Sequence, residues 1–565
     1  MNEASGKPKS AGDLRLAQML APLRGQLFMA SALGVLAALL WIPQAACVAD
    51  LLAELITGEP GLLGAWGASA VFLALGIARA GLSFLSGGMA FAASDEAISR
   101  ERAKLLAVQS RRSPIVAGRF SSAEIASLAA DKLELVAPYL TRYAPAMART
   151  KAVPPAIVAV TFVLSWAVGL ILLVSGPLIP VFMALVGLAA RDASERQMQE
   201  IGGMNALLLE RIRALTDLRL LDATERTIAD FETAADRLRR QTMEVLRIAF
   251  LSSAVLELFA AIGVALVAVY VGFALIGEIR FGAWATPLTV GEGIFLLLLA
   301  PDFFQPLRDL AAAWHDKAAA LAVTGEIAEI ESEPGLDILG GGTGTATLPG
   351  PAHIATRGMR WVTPNGRTIR FPDIMVEAGE TLAVTGRSGS GKTTLLALLA
   401  GLAPAAGGTI EVAGKRLSEE TADAWRARLG WIGQAPHFSN ESLRANLILS
   451  APHRDDPRLA QALSHASADG IVKALPRGLD TRLGETGHGV SGGEARRLLI
   501  ARALYSNADI VLADEPTADL DRETAEAVTE GLLALAARGV TLIVATHDMN
   551  LANRLDRIVD LEAEA

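Results

Sequence analysis

The sequence predicts two domains in series. A membrane all-α domain of six spans comes first, and an α/β phosphate-binding domain follows. Three observations carry this. The first three hundred residues hold long runs without charge. Two internal segments between those runs are rich in Lys and Arg. Gly386 to Thr394 then reads G-R-S-G-S-G-K-T-T, the P-loop pattern, with an apolar run before it and an apolar helix-like run after it.

Composition sets the limits. The chain has 565 residues, 52% of them apolar, and a mean hydropathy of +0.38. That is too apolar for a soluble enzyme and long enough for two or three domains. The net charge of -9 gives no global attraction for nucleic acid. A single cysteine, Cys47, rules out an internal disulfide and lies in an apolar stretch.

Residues 1–24 carry Lys7, Lys9, Arg15 and Arg24 without a cleavage-site pattern, and read as a cytoplasmic N-terminal segment. The membrane domain is expected over 25–331. Gly25–Ala49 is free of charge, as are Pro60–Ala78 and Ala80–Ser94 on either side of Arg79. Ala152–Ala190 runs 39 residues without a charged residue or a histidine. A span needs about 20 residues, so this run reads as two helices with a tight hairpin near Ser165–Gly169. Leu258–Gly277 is a fifth span. Leu288–Leu307 is a sixth despite Glu292 and Asp302.

Loop charge gives the orientation. Residues 95–151 and 191–247 hold ten Lys/Arg each, whereas 50–59 holds none. Both long loops are therefore expected in the cytoplasm, with both termini on that side. These polar segments, as in Ala206–Arg240, read as helices extending well past the bilayer. Residues 332–351, rich in Gly, Pro and Thr, read as a flexible linker. From 352 to 565, short apolar runs alternate with helix-like stretches, the pattern of an α/β domain.

The motifs of that second domain fit one chemistry. Gly386, Arg387, Ser388, Gly389, Ser390, Gly391, Lys392, Thr393 and Thr394 aim backbone N–H groups and a helix N-terminus at one spot, which suits a polyphosphate. Ile510–Ala513 runs into Asp514 and Glu515. An apolar strand ending in two carboxylates suits Asp514 and Thr393 as Mg²⁺ ligands and Glu515 as the group that orients or deprotonates the attacking water. Val490-Ser491-Gly492-Gly493-Glu494 would open a helix whose N-terminus binds an anion.

That last segment closely resembles the L-S-G-G-Q signature of the ATP-binding cassette (ABC) family. The resemblance implies that ATP and Mg²⁺ are bound, and that Ser491, Gly492, Gly493 and Glu494 complete an ATP site on a second subunit. It places Gln434 in a Q-loop that senses Mg²⁺, Asp519 and Asp521 in the D-loop, and His547 as the switch histidine on the γ-phosphate. The family stacks adenine on an aromatic residue before a Pro-Gly-like turn. Here Thr363 precedes Pro364, and Trp361, two residues back, is the candidate substitute. The sequence stops soon after Val559–Leu561, so the family's final hairpin and helix are expected to be missing.

Six spans and one cassette resemble an ABC exporter half-transporter, which works as a dimer. Three stretches resemble the CydD half of bacterial CydDC-type transporters: Pro177–Gly187, Gln241–Arg247 running into Ala249–Ser253, and Ala300–Asp309. This implies a CydC-like partner, the bacterial inner membrane, and export of cysteine and glutathione in support of cytochrome bd assembly. Haem is the alternative cargo within that family, and a lipid or drug exporter half is the alternative family member. The residues themselves offer Arg79 and Glu257 as a candidate cargo path. An unpaired Arg inside a span costs about 2.5–3.5 kcal/mol, so Arg79 must face a partner or a wet cavity. The alternative reading pairs Arg79 with Glu257 or with Asp50 to lock helices together.

Overall fold

The computed structural model describes residues 10–562, apart from 117–119, 121, 180–181, 183–195, 197–199, 201–202, 205–206, 209–210, 213–214, 285–286, 334, 343–345, 364–365, 450–454 and 484–488. The chain divides into two units. One holds residues 1–105 and 120–332, the other 106–119 and 333–565.

The first unit is helical: α1 (Ala11–Leu20), α2 (Arg24–Leu39), α3 (Trp41–Thr57), α4 (Gly64–Ser110), α5 (Ser122–Ala130), α6 (Ala144–Leu164), α7 (Trp166–Ile179), α8 (Thr224–Leu275), α9 (Val290–Ala312) and α10 (Trp314–Ser332). Among the described residues, five helical stretches are long and apolar enough to cross a membrane: Ala11–Thr57, Gly64–Ser110, Lys132–Leu164, Ala254–Leu275 and Val290–Ser332. The fourth expected span appears as the shorter apolar helix Trp166–Ile179, and most of its continuation to Ala190 lies outside the described residues. Most of the Pro177–Gly187 stretch lies there too. The chain is a multi-pass membrane protein.

Local chemistry explains the boundaries. Ser165 leaves the helix in extended conformation, and its hydroxyl donates to the Gly282 carbonyl at 2.8 Å, so the expected hairpin turns there. Glu292, awkward for a span, is instead an N-terminal cap of α9. It accepts from Thr289 N at 2.9 Å while its own N–H bonds the Thr289 hydroxyl at 3.3 Å. Helices α4 and α8 run 47 and 52 residues. At 1.5 Å per residue they reach about 70 and 78 Å, well beyond a hydrocarbon core of about 30 Å. Phe303 and Phe304 on α9 meet edge to face at 4.8 Å. Each ring lies against a glycine of a neighbouring helix, Gly176 or Gly263, where a Cβ would come within 2.6 or 2.3 Å.

The N-terminal segment is a docked helix. A Ser10–Asp13 capping box starts α1. Gly12 lies so close to α10 that a Cβ would stand 2.5 Å from the Leu321 carbonyl. Arg15, 6% exposed, is held between Glu101 and Glu331, with 2.7 Å to the latter.

The second unit contains two five-stranded sheets. An antiparallel sheet joins β1 (Ile354–Val362), β2 (Thr368–Arg370), β3 (Met375–Val376), β5 (Gly407–Val412) and β6 (Lys415–Arg416). A parallel sheet has the order β10 (Arg557–Asp560), β4 (Thr381–Thr385), β9 (Thr541–Ala545), β8 (Ile510–Asp514), β7 (Leu429–Ile432). Strands β4, β8 and β9 are buried at every residue, which is why they read as continuous apolar runs. The stretch 106–119 belongs to this unit. Ser113 N–H donates to the Leu336 carbonyl at 2.7 Å, and Ile115 and Val116 pack on the cassette core.

The Gly-rich linker corrects an expectation. Its described residues Gly340, Gly341 and Gly342 are tied down by hydrogen bonds. The N–H groups of Gly341 and Gly342 bond the Asp423 carboxylate at 2.8 and 3.0 Å, and Gly340 N–H bonds Glu419 at 2.7 Å. Burial would raise the Asp423 pKa, but the two amides and the Arg426 guanidinium outweigh it and hold the carboxyl below its ordinary value.

Candidate functional site

Strand register assembles the site. Asp514 of β8 pairs with Ala545 of β9, and Ala545 pairs with Val384 of β4. The C-terminal ends of three buried parallel strands therefore stand side by side. Each leads into a motif: the P-loop after β4, Glu515 after β8 and His547 after β9. Ligands of open α/β sheets bind at this edge.

The P-loop turns through three glycines in left-handed or related conformation, Gly386 (φ 145), Gly389 (φ 82) and Gly391 (φ 102). It ends in α11 (Lys392–Leu399). Lys392 is 7% exposed. Its ammonium donates to the Gly386 carbonyl at 2.8 Å and stands 3.3 Å from Glu515 Oε1. The other oxygen of Glu515 lies 2.7 Å from His547 Nδ1 and 3.3 Å from His547 N. Glu515 itself adopts φ +46, and its N–H is anchored on the Ala545 carbonyl at 2.8 Å. A strained backbone thus holds a carboxylate between a lysine and an exposed histidine.

Asp514 is 3% exposed, and its Oδ1 is buried without a hydrogen-bond partner. Burial pushes its carboxyl above the ordinary value, Glu515 adds to that, and the hydrogen bond with Thr393 and the charge of Lys392 oppose it. An orphaned carboxylate oxygen beside a hydroxyl fits a hard cation. No group of three or more His, Cys, Asp or Glu residues forms a metal cluster among the described residues. Gln434 follows β7 and is exposed. Among the described residues no hydrogen bond joins it to Thr393 or Asp514, and its carbonyl instead accepts from Arg496 Nη2 at 3.2 Å.

Ser491 caps α12 (Gly492–Ser506), with Glu494 as the reciprocal partner. Ser491 N donates to Glu494 Oε2 at 2.7 Å and Glu494 N to the Ser491 hydroxyl at 3.3 Å. Glutamate at 494 thus shapes the helix start. Gly493 has a packing reason of its own: a Cβ there would stand 1.9 Å from Thr524 Cγ2 on α13 (Arg522–Ala536). No hydrogen bond or ion pair among the described residues links Ser491–Glu494 to the P-loop of the same chain. In the D-loop, Asp519 sits at φ +59, and Asp521 caps α13 by accepting from the N–H groups of Glu523 and Thr524. Its bonds with Thr524, side chain then backbone, hold its carboxyl below the ordinary value.

Two outcomes went against, or beyond, the motifs. Trp361 is 5% exposed, packed into the cassette core rather than offered as a stacking face. The cause is an irregularity between Arg357 and Arg360, which shifts the alternation of β1 by one residue. The Pro364 turn lies outside the described residues. Arg496 escaped sequence reading. Buried on α12, it donates to the Ala518 carbonyl at 2.6 Å as well as to Gln434, so one side chain ties signature helix, D-loop and Q-loop. Its only signal was a charge two residues past the signature.

In the membrane unit, Arg79 pairs with neither Glu257 nor Asp50. Its guanidinium lies over the Trp41 ring, 5.3 Å from the centroid, within electrostatic reach of Asp302. Glu257 takes Arg308 at 3.1 Å, and Asp50 accepts from Leu62 N at 3.1 Å.

The chain resembles known proteins over both units. Residues 372–518 match the family model described as ABC transporter, and residues 27–296 match ABC transporter transmembrane region. "Transport ATP-binding protein AarD" of Providencia stuartii is 37% identical over 77% of this chain and 73% of its own. "Glutathione/L-cysteine transport system ATP-binding/permease protein CydD" of Escherichia coli (strain K12) is 37% identical over 75% of this chain and 72% of its own. A solved bacterial Atm1-family ABC exporter with ATP bound shares the fold, with a TM-score of 0.73 at 19% identity over 96% of this chain and 94% of its own.

Proposed function

The chain belongs to the ABC transporter family, alongside CydD-named ATP-binding/permease proteins, and we propose that it exports cysteine and glutathione from the cytoplasm with a CydC-like partner. The membrane is the bacterial inner membrane, the cassette and both termini are cytoplasmic, and the transport supports cytochrome bd assembly. The observation that carries the ATPase half is the row of β4, β8 and β9 ends, which brings Lys392, Asp514, Glu515 and His547 together. The cargo half rests on the CydD-named relative.

The residues divide the work. Gly386, Arg387, Ser388, Gly389, Ser390, Gly391, Lys392, Thr393 and Thr394 hold the triphosphate. Asp514 and Thr393 would hold Mg²⁺, with Gln434 joining them once the cassettes close, and the ion would offset negative charge on the triphosphate. Glu515 accepts a proton from water as its oxygen attacks the γ-phosphorus and ADP departs. His547 bonds one Glu515 oxygen and, on closure, faces the γ-phosphate. Lys392 and His547 each hold one oxygen of Glu515. Ser491–Glu494 complete the partner's site, with the D-loop residues Asp519 and Asp521 beside it. Segments near 107–122 and 210–225 transmit closure of the cassettes to the spans, which alternate access.

The test is the ATPase rate of the chain co-purified with its partner in lipid, titrated with glutathione, cysteine and haem. Stimulation by thiols alone supports the reading. Stimulation by haem alone sinks the thiol assignment while leaving the ATPase.

A further inference from the structure

Four polar side chains meet inside the helical unit and are poorly matched to one another. Arg79 on α4 rests over Trp41 of α3 at 5.3 Å and lies within electrostatic reach of Asp302 of α9. The indole N–H of Trp41, close to Asp302, is buried and meets no hydrogen-bond acceptor in good geometry among the described residues. One turn along α3, Gln44 is 3% exposed. Its amide nitrogen bonds the Phe72 carbonyl at 3.3 Å, and its Oε1 is buried with no partner. Gly76, between Phe72 and Arg79 on the same face of α4, leaves room: a Cβ there would stand 3.2 Å from Gln44 Nε2.

Arg308 is the other cation near Asp302, but it is committed to both oxygens of Glu257, at 3.1 and 3.2 Å. That leaves Asp302 and Arg79 within electrostatic reach of each other, with no ion pair closed between them among the described residues, beside an unused donor, Trp41 Nε1, and an unused acceptor, Gln44 Oε1. A pair that served only to lock helices would not need both. Buried polar atoms without partners are costly, about 1–3 kcal/mol each. A guest carrying one cation, one anion and further polar groups satisfies all four.

We propose that Trp41, Gln44, Arg79 and Asp302 form an intramembrane site for the zwitterionic head group of an α-amino acid. Arg79 takes the carboxylate, Asp302 takes the ammonium, and Gln44 and Trp41 supply an acceptor and a donor beside them. The proposal rests on the thiol-export reading and sharpens it. Cysteine and the γ-glutamyl end of glutathione both carry this head group. Haem carries carboxylates without an ammonium and leaves Asp302 unpaired.

The experiment measures ATP-dependent uptake of labelled L-cysteine into inside-out vesicles holding the full heterodimer. The competitors are 3-mercaptopropionate, which lacks the ammonium, and cysteamine, which lacks the carboxylate. The wild-type protein should discriminate against each by about 10- to 100-fold, the loss expected for one charge-assisted hydrogen bond. Asp302→Asn should bring 3-mercaptopropionate close to cysteine. Arg79→Gln should do so for cysteamine, and Arg79→Lys should restore the carboxylate preference. Because each variant is read by its own ranking of ligands, a loss of protein does not mimic the result. If the variants lower uptake but keep the wild-type ranking, the cluster only holds helices together and the proposal is overturned. If the wild-type protein accumulates no thiol, equilibrium dialysis with labelled cysteine separates the two ideas. Binding that Arg79→Gln abolishes keeps the site and removes export, whereas no binding overturns both.

Discussion

Glu515 illustrates how one residue is set up by its surroundings. Its φ of +46 is unfavourable for a side chain with a Cβ, and the parallel register of β8 and β9 enforces it through the Ala545 carbonyl. Glu515→Gln keeps that geometry but removes the proton acceptor. It should lower ATP turnover by about 10²–10⁴-fold while nucleotide still binds, read by single-turnover hydrolysis beside nucleotide binding. Intact turnover would remove Glu515 from the chemistry. Arg496 acts one step away. Arg496→Met leaves the carbonyls of Ala518 and Gln434 without their donor and should cost about 1–3 kcal/mol, seen as a lower melting temperature of the complex. An unchanged melting temperature would mean water replaces it. Gly493→Ala drives a methyl into Thr524 and should destabilise by about 1–3 kcal/mol, whereas Gly492→Ala, whose nearest neighbour is 3.9 Å away, should be tolerated for folding.

At the scale of elements, legibility followed distance along the chain. The strands β4, β8 and β9 were readable because they are buried on both faces, and the P-loop because its residues are adjacent. The hairpin at Ser165 was readable from length alone. The Gly-rich segment was misread because what fixes it, Asp423, lies 81 and 82 residues downstream of Gly342 and Gly341. Trp361 was misread because an irregularity in β1 shifts the alternation, and no residue type marks it. Trp41, the ring beneath Arg79, was missed because only carboxylates were sought as partners of the cation and the ring stands on another helix. The clamp on Asp423 makes a testable statement. Its folded pKa lies below the ordinary value of 3.8. Its stabilisation is therefore fully present above that value and is lost as pH falls through the lower, folded pKa. Asp423→Asn should lower the hydrogen-exchange protection of Gly341 and Gly342, relative to their intrinsic rates, at neutral pH to the level the wild-type protein shows only in acid. Equal protection in both proteins would mean the carboxylate charge does not hold the segment.

At the scale of the whole molecule, the sequence implies a machine that is incomplete alone. The signature residues Ser491–Glu494 contact nothing in their own P-loop among the described residues, and the family logic gives them to a second cassette. The helices α4 and α8 are longer than the hydrocarbon core of a bilayer is thick. The central claim is that ATP hydrolysis at Glu515 drives amino-acid thiols out of the cytoplasm. The most direct measurement is accumulation of labelled cysteine and glutathione in inside-out vesicles containing this chain and its CydC-like partner, with and without ATP, for the wild-type protein and Glu515→Gln. The account predicts accumulation that requires ATP and disappears in Glu515→Gln. Accumulation that persists in Glu515→Gln, or ATP turnover with no thiol movement in the wild-type protein, would contradict it.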